Sequence, residues 1–307
     1  MTISCDRLTY ANWPNCWRLA NGLVEVIATA DVGPRLIRFG FVGGPNEFVE
    51  IPADQGQVGG EAWRIYGGHR FWHAPEDQAR TYLPDNAPVA VEPLPAGLRL
   101  TQPLEAATGL QKVIELQMSP AGAAVRITHR LHNRGLWPLT LSPWALSAMA
   151  PGGAAILPLP PRGSHPQHLL PSSSLVLWPY TDLSDPRWIW GRRHLLLRCD
   201  PAVPAPQKLG ATLPDGWLAY ARAGHLFVKR VTSRPAAAYP DHGSQVELYT
   251  DHRMLELETL GPLAALAPGA AVEHVEDWQL FDNFPALPGE ALADAARRLV
   301  ESSAPQP

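Results

Sequence analysis

Cysteine is scarce. The 307 residues hold three, Cys5, Cys16 and Cys199, and an odd, scattered set is no disulfide framework. No CxxC pair offers zinc a thiolate clamp. No apolar run approaches the about 20 residues that a membrane-spanning helix needs, so no membrane partner is expected. The opening Met1–Arg7 lacks a basic start followed by an apolar run. No secretory leader is therefore expected, and a reducing cytoplasm is the expected compartment. Basic charge is not in excess either: 25 Lys and Arg stand against 29 Asp and Glu, a net charge of -4. With no basic stripe for phosphates, nucleic acid is not an expected partner. A Walker loop, GxGxxG, GxSxG and HExxH are all missing, which removes the commonest nucleotide, hydrolase and metalloprotease readings. Helical periodicity is confined to the tail. From Gly289 to Ser303 the chain is rich in Ala, Leu and Arg, with Leu292, Ala296, Leu299 and Val300 at helical spacing. The last residues, Ser302–Pro307, are expected to fray.

What is present points to strands. Hydrophobic residues make up 46% of the chain, too many for disorder. There are 33 prolines, which implies many turns and loops, and 11 tryptophans, which fill cores or stack on ligands. Strand-like runs cover Gly22–Thr29, Arg35–Phe41, Gly97–Thr101, Gln111–Leu116 and Ala124–Leu131. More follow at Leu195–Cys199, Gly216–Tyr220, Leu226–Val231, Gln245–Thr250, Met254–Thr259 and Val272–Trp278. Many short strands separated by turn signals predict an all-β sandwich or barrel rather than βαβ units. The Pro-rich stretch Pro158–Pro171 and the shorter Pro201–Pro206 read as surface loops. Strands of one style continue on both sides, so residues 1–307 read as a single domain.

Three groups of residues carry possible chemistry. The densest is Tyr66–Glu76. Paired glycines, Gly67 and Gly68, allow a sharp turn or a close approach to a ligand. Arg70 has the fork to hold a pair of hydroxyls, and His69 or His73 has the basicity to shuttle a proton near neutral pH. Trp72 and Glu76 complete a ligand-binding set, although a turn with packed aromatics and an Arg–Glu pair accounts for the same residues. As metal ligands, His69, His73 and Glu76 match no zinc spacing, so neither metal nor cofactor is expected. The second group is Glu256 and Glu258. Two apart in a strand, they share one face, with Leu255 and Leu257 on the other. On a solvated face they are ordinary; lining a cleft, one would gain a raised pKa and serve as a general base. The third group is Trp144, Lys229, Tyr239 and Asp241, each of which has a structural reading as well. His129 and His132 read as packing or surface residues.

In order along the chain, these segments resemble the galactose-mutarotase-like superfamily that includes aldose 1-epimerase. The resemblance lies in the Gly22–Phe41 strand pair, the Gly67–Trp72 segment, the turn at Asn133–Pro138, the late strand Glu256–Pro262 and the closing strand Val272–Trp278. It is nearest to a bacterial branch with a Gly-Gly-His-Arg-x-Trp segment. It implies a β-supersandwich with a short C-terminal helix and a small carbohydrate as the ligand. It also implies proton shuttling between sugar anomers, with Glu258 or its neighbour Glu256 as the base and Arg70 on sugar hydroxyls. Trp72, Glu76, Trp144, Lys229 and Tyr239 are expected at the sugar site. Where the family carries its acid histidine this chain reads Pro143-Trp144-Ala145, so His69 or His73 would have to supply the acid. Two further readings stay open: sugar binding without turnover, and a polysaccharide lyase or glycoside-processing enzyme on the same fold, with Tyr239 and Tyr249 as candidate tyrosines. Nothing in the sequence specifies an oligomeric state.

Overall fold

The structure, a computed structural model, describes residues 2–303. The rest of the tail, where fraying is expected, lies outside the described residues. Two antiparallel sheets face each other. The first has eleven strands. It runs Ser4–Tyr10, Trp13–Ala20, Val24–Thr29, Arg35–Phe41, Gly68–Ala74, Leu139–Met149, Leu255–Leu260, Val246–Thr250, Gln207–Ala211 and Leu175–Leu177, with Ala264–Leu266 paired beside Leu139–Met149. The second has ten. It runs Trp188–Trp190, His194–Arg198, Ala154–Pro158, Trp217–Arg222, His225–Val231, Ala271–Phe281, Ala124–Asn133, Leu110–Met118, Gly97–Thr101 and Ala90–Leu94. Strands from before and after the Pro158–Pro171 stretch pair in both sheets: Leu139–Met149 with Leu255–Leu260, and Ala154–Pro158 with Trp217–Arg222.

Alternation builds the layer between the sheets. In Ala124–Asn133 every second residue, from Val125 to Asn133, is buried and its neighbours are less so. Apolar residues of both sheets meet there, with Phe39 of the first sheet and Phe48, which bridges to Met149 of that sheet, packed edge-on against Phe227 of the second. The helix Gly289–Ser302 covers the outer face of the second sheet. Its Leu292, Ala293, Ala296 and Val300 are buried against Ile156, Leu196, Trp217 and Val228. Among the described residues no helix is long and apolar enough to cross a membrane.

The Gly67–Glu76 segment is a central strand at its heart, not a turn: all seven residues of Gly68–Ala74 are buried. The chain enters it through left-handed backbone at Tyr66, Gly67 and Gly68, with φ of 54°, 82° and 72°. A β-carbon on Gly67 would sit 2.1 Å from the Val49 carbonyl oxygen, and one on Gly68 2.3 Å from that of Leu36. Only glycine lets this entry pass so close to its neighbours. Leu139–Met149 is also a full central strand, despite Pro143. A proline is unusual there because it donates nothing to the ladder; its carbonyl still accepts the Gly261 N–H at 2.9 Å.

Candidate functional site

Five neighbouring strands of the first sheet build a polar floor on the face turned away from the second sheet. Register does the positioning. Trp144 pairs with Trp72, and Leu146 with both Arg70 and Glu258. Glu258 in turn pairs with Glu247, Glu256 with Tyr249, and Tyr249 with Lys208. Because side chains alternate along each strand, all of these project to one face. Loops wall the floor in with Trp63, Arg64, Glu76, Tyr82, Tyr180 and Arg253, leaving a cavity of about 350 Å³. That lies within the range of small-molecule sites.

Charge on the floor is paired in two sets. Arg70 meets Glu256 at 2.5 Å, and its guanidinium lies over the Trp72 ring at 4.4 Å. Burial opposes the charge on Arg70, but Glu256 outweighs it and raises the pKa. The second set is a cation among carboxylates. Lys208 Nζ lies 2.7 Å from Glu247 and 3.3 Å from Glu258, and 4.8 Å from the ring centroids of Trp144 and Trp178. Trp144 Nε1–H donates to Glu258 Oε2 at 2.9 Å. Glu258 Oε1 has no hydrogen-bond partner among the described residues, whereas Glu247 Oε2 is met by the Lys208 ammonium. Burial pushes both carboxyls up, against the pull of Lys208. Burial raises Asp241 as well, beside Glu247 and Lys208. Tyr82 donates to Glu76 at 2.5 Å.

No protein-family model matches the sequence, and neither does any curated protein sequence. Solved structures do match. The Slr1438 protein from Synechocystis sp. PCC 6803 superposes with a TM-score of 0.58 at 12% identity, over 92% of this chain and 99% of that one. A galactose mutarotase-like protein from Lactobacillus casei gives 0.56 at 10% identity, over 86% of this chain and 99% of its own. A candidate aldose 1-epimerase from Klebsiella pneumoniae gives 0.58 at 11% identity, over 98% and 87%. The fold is that of the galactose-mutarotase-like proteins.

On this mutarotase-like sandwich, the structure brings Arg70, Trp72, Glu76, Trp144, Glu256 and Glu258 to one cavity, together with Tyr249. It does not bring His69, His73, Lys229 or Tyr239 there; none of them lines the cavity. His69 and His73 alternate with Arg70 and Trp72 along one strand, so they face the second sheet. His69 is wholly buried, with Nδ1 2.8 Å from Ser147 Oγ and Nε2 2.8 Å from His129 Nε2. Burial drives its pKa well below the ordinary histidine value. His73 is held at about 4, also by burial. Neither histidine is placed to act as the acid: the sheet stands between them and the floor, and both are neutral near pH 7. Lys229 belongs to the second sheet, and its Nζ donates to Glu276 at 2.9 Å and to the Leu257 carbonyl at 3.0 Å.

Behind the floor the mutarotase-like fold thus holds a buried polar layer. His69, His129 and Glu276 have ligand atoms within 4.8 Å of one another. Those atoms are already engaged. Glu276 accepts from Lys229, Thr259 and Trp278, and His129 Nδ1 meets the His274 carbonyl at 3.0 Å. A satisfied hydrogen-bond network of this kind reads as structure rather than a metal centre.

Sequence reasoning missed Lys208 and Glu247. Lys208 stands beside Gln207 at the start of the short strand Gln207–Ala211, which has too few residues to show which face it turns to a cavity. Glu247 had a signal. It alternates with Val246 and Leu248 next to Tyr249, the same spacing that singled out Glu256 and Glu258.

Proposed function

We propose that the chain binds a small carbohydrate in this cavity and interconverts its anomers, with Glu258 as the general base. The observation that carries the reading is Glu258 itself. Its carboxylate is fully buried on the cavity floor, one oxygen is fixed by Trp144, and the other has no partner among the described residues. A buried acceptor left unmet is costly, about 1–3 kcal/mol, and an anomeric hydroxyl would satisfy it. Aromatic walls at Trp63, Trp72 and Trp144 suit the C–H faces of a pyranose, and Arg70 suits its hydroxyls. The mutarotase-like fold supports a carbohydrate ligand by analogy.

Anomer exchange measured by NMR across aldohexoses and their 6-phosphates tests this. Wild-type protein should accelerate exchange for at least one sugar, and Glu258→Gln should lower that rate at least a hundredfold. No acceleration anywhere in the panel overturns the epimerase reading. Binding without turnover is the second reading. It rests on Trp144, which stands where the resemblance places an acid histidine; saturable binding by calorimetry, with no rate enhancement, would select it.

A further inference from the structure

Ring opening needs two proton movements, and Glu258 accounts for one. The anomeric hydroxyl must lose a proton and the ring oxygen must gain one. No histidine is among the residues that line the cavity. The arginines hold their protons too tightly to act as acids. Glu256 is committed to Arg70, and Tyr82 already donates to Glu76. Burial pushes Tyr82, Tyr180 and Tyr249 up, and, against burial, Glu258 and Glu247 raise Lys208 as well, so position beside the base rather than resting acidity tells these groups apart. Among the proton-bearing groups of the cavity, Lys208 is the one ion-paired to Glu258, and it is held between the faces of Trp144 and Trp178.

We propose that Lys208 is the catalytic acid of this site, giving its proton to the ring oxygen as Glu258 takes the proton of the anomeric hydroxyl. The proposal rests on the epimerase reading above. The step balances. Glu258 accepts the hydroxyl proton, and the electron pair left on that oxygen forms the carbonyl. The bond from the anomeric carbon to the ring oxygen breaks, and its electron pair takes a proton from the Lys208 ammonium. The open-chain aldehyde turns about its first carbon–carbon bond. Reversal of the steps returns each proton to the group it came from.

The geometry couples the two movements. At rest the Lys208 ammonium is held charged by two carboxylates, Glu247 and Glu258, at 2.7 and 3.3 Å. When Glu258 gains the sugar's proton its charge vanishes, and with it much of the field that keeps the proton on Lys208. The same event that completes the base step therefore releases the acid. Glu247 stays in place as the residue that positions the amine, and it does not touch the sugar in this scheme.

Lys208→Arg separates proton transfer from charge. Arginine keeps the cation between the two carboxylates but does not release a proton in this range. With the sugar that the wild type exchanges fastest, K208R should bind with affinity within about threefold while its exchange rate falls more than tenfold. Lys208→Ala gives an independent readout: small primary amines in the buffer should restore part of its lost rate. Wild-type exchange with K208R retaining more than a tenth of the rate overturns the role of Lys208 and leaves the epimerase reading standing. So does K208A whose rate no amine restores. Wild-type protein that binds sugar without exchanging it overturns both.

Discussion

One indole holds the candidate base in place. Trp144 donates to Glu258 at 2.9 Å while its ring packs against Trp72, centroids 5.4 Å apart. Trp144→Phe keeps the packing and removes the donor. A hydrogen bond to a charged group is worth about 1.5–3 kcal/mol, and this one favours the ionised carboxylate. Glu258 already lies above its ordinary value, through burial, and would move further up. Activity needs the ionised form, so the rise of rate with pH should shift upward in W144F. At neutral pH kcat/KM should fall about tenfold or more, since about 1.4 kcal/mol is one decade. An unmoved pH–rate profile would show that the bond does not tune Glu258. At this scale the sequence told much: the period of two put Glu256 and Glu258 on one face, and the structure has both on the floor. The same period also separates His69 and His73 from Arg70, but only once the segment is taken as a strand. Its composition, paired glycines followed by His-Arg-Phe-Trp-His with no polar–apolar alternation, reads as a turn instead.

The strand Leu255–Leu260 carries both floor glutamates and is tethered from behind. Lys229 of the second sheet donates to its Leu257 carbonyl, and Thr259 donates to Glu276 at 2.5 Å. Both charges of the Lys229–Glu276 pair are fully buried. Removing one partner strands the other, so Lys229→Met should cost about 3–5 kcal/mol in urea unfolding. Lys229→Met combined with Glu276→Gln should cost less than the two single losses added, because no charge is left alone. Additive losses would mean that the two residues do not act as a pair. Elements of this kind explain what the sequence concealed. Gly68–Ala74 is buried throughout, one side by the second sheet and the other by the loops of the cavity. A strand with two covered faces can lose the plain in-and-out pattern that Ala124–Asn133 shows, although Leu255–Leu260, just as buried, keeps it in its alternating Leu and Glu. Pro143 hid Leu139–Met149 in the same way. The edge strands Ser4–Tyr10, Leu175–Leu177 and Trp188–Trp190 are short or mostly exposed and left little signal.

At the scale of the whole molecule, the layer between the sheets is a store of neutral histidines. His69, His129 and His274 are fully or nearly buried, joined to Ser147, Thr259 and one another. Burial sets His129 at about 4 and His274 at about 3, and it lowers His69 and His73 too. The unfolded chain binds protons on these residues near their ordinary value, about 6.5. Folded pKa values below the unfolded ones mean that the stability is complete above that value and is lost as pH falls toward 4. In this window each such histidine contributes up to about 1.4 kcal/mol per pH unit to the slope. Glu247 and Glu258 act in the opposite sense, since their folded values are raised. They favour the folded state as they take up protons, and with burial holding them up they offset part of the slope without matching the four histidines. Urea midpoints measured at pH 7, 6 and 5 should therefore decline with acid well before ordinary carboxylates titrate, and His129→Gln, which takes no proton, should flatten the decline. Midpoints that hold level from pH 7 to 5 would mean that the histidines between the sheets do not set the acid limit of the fold.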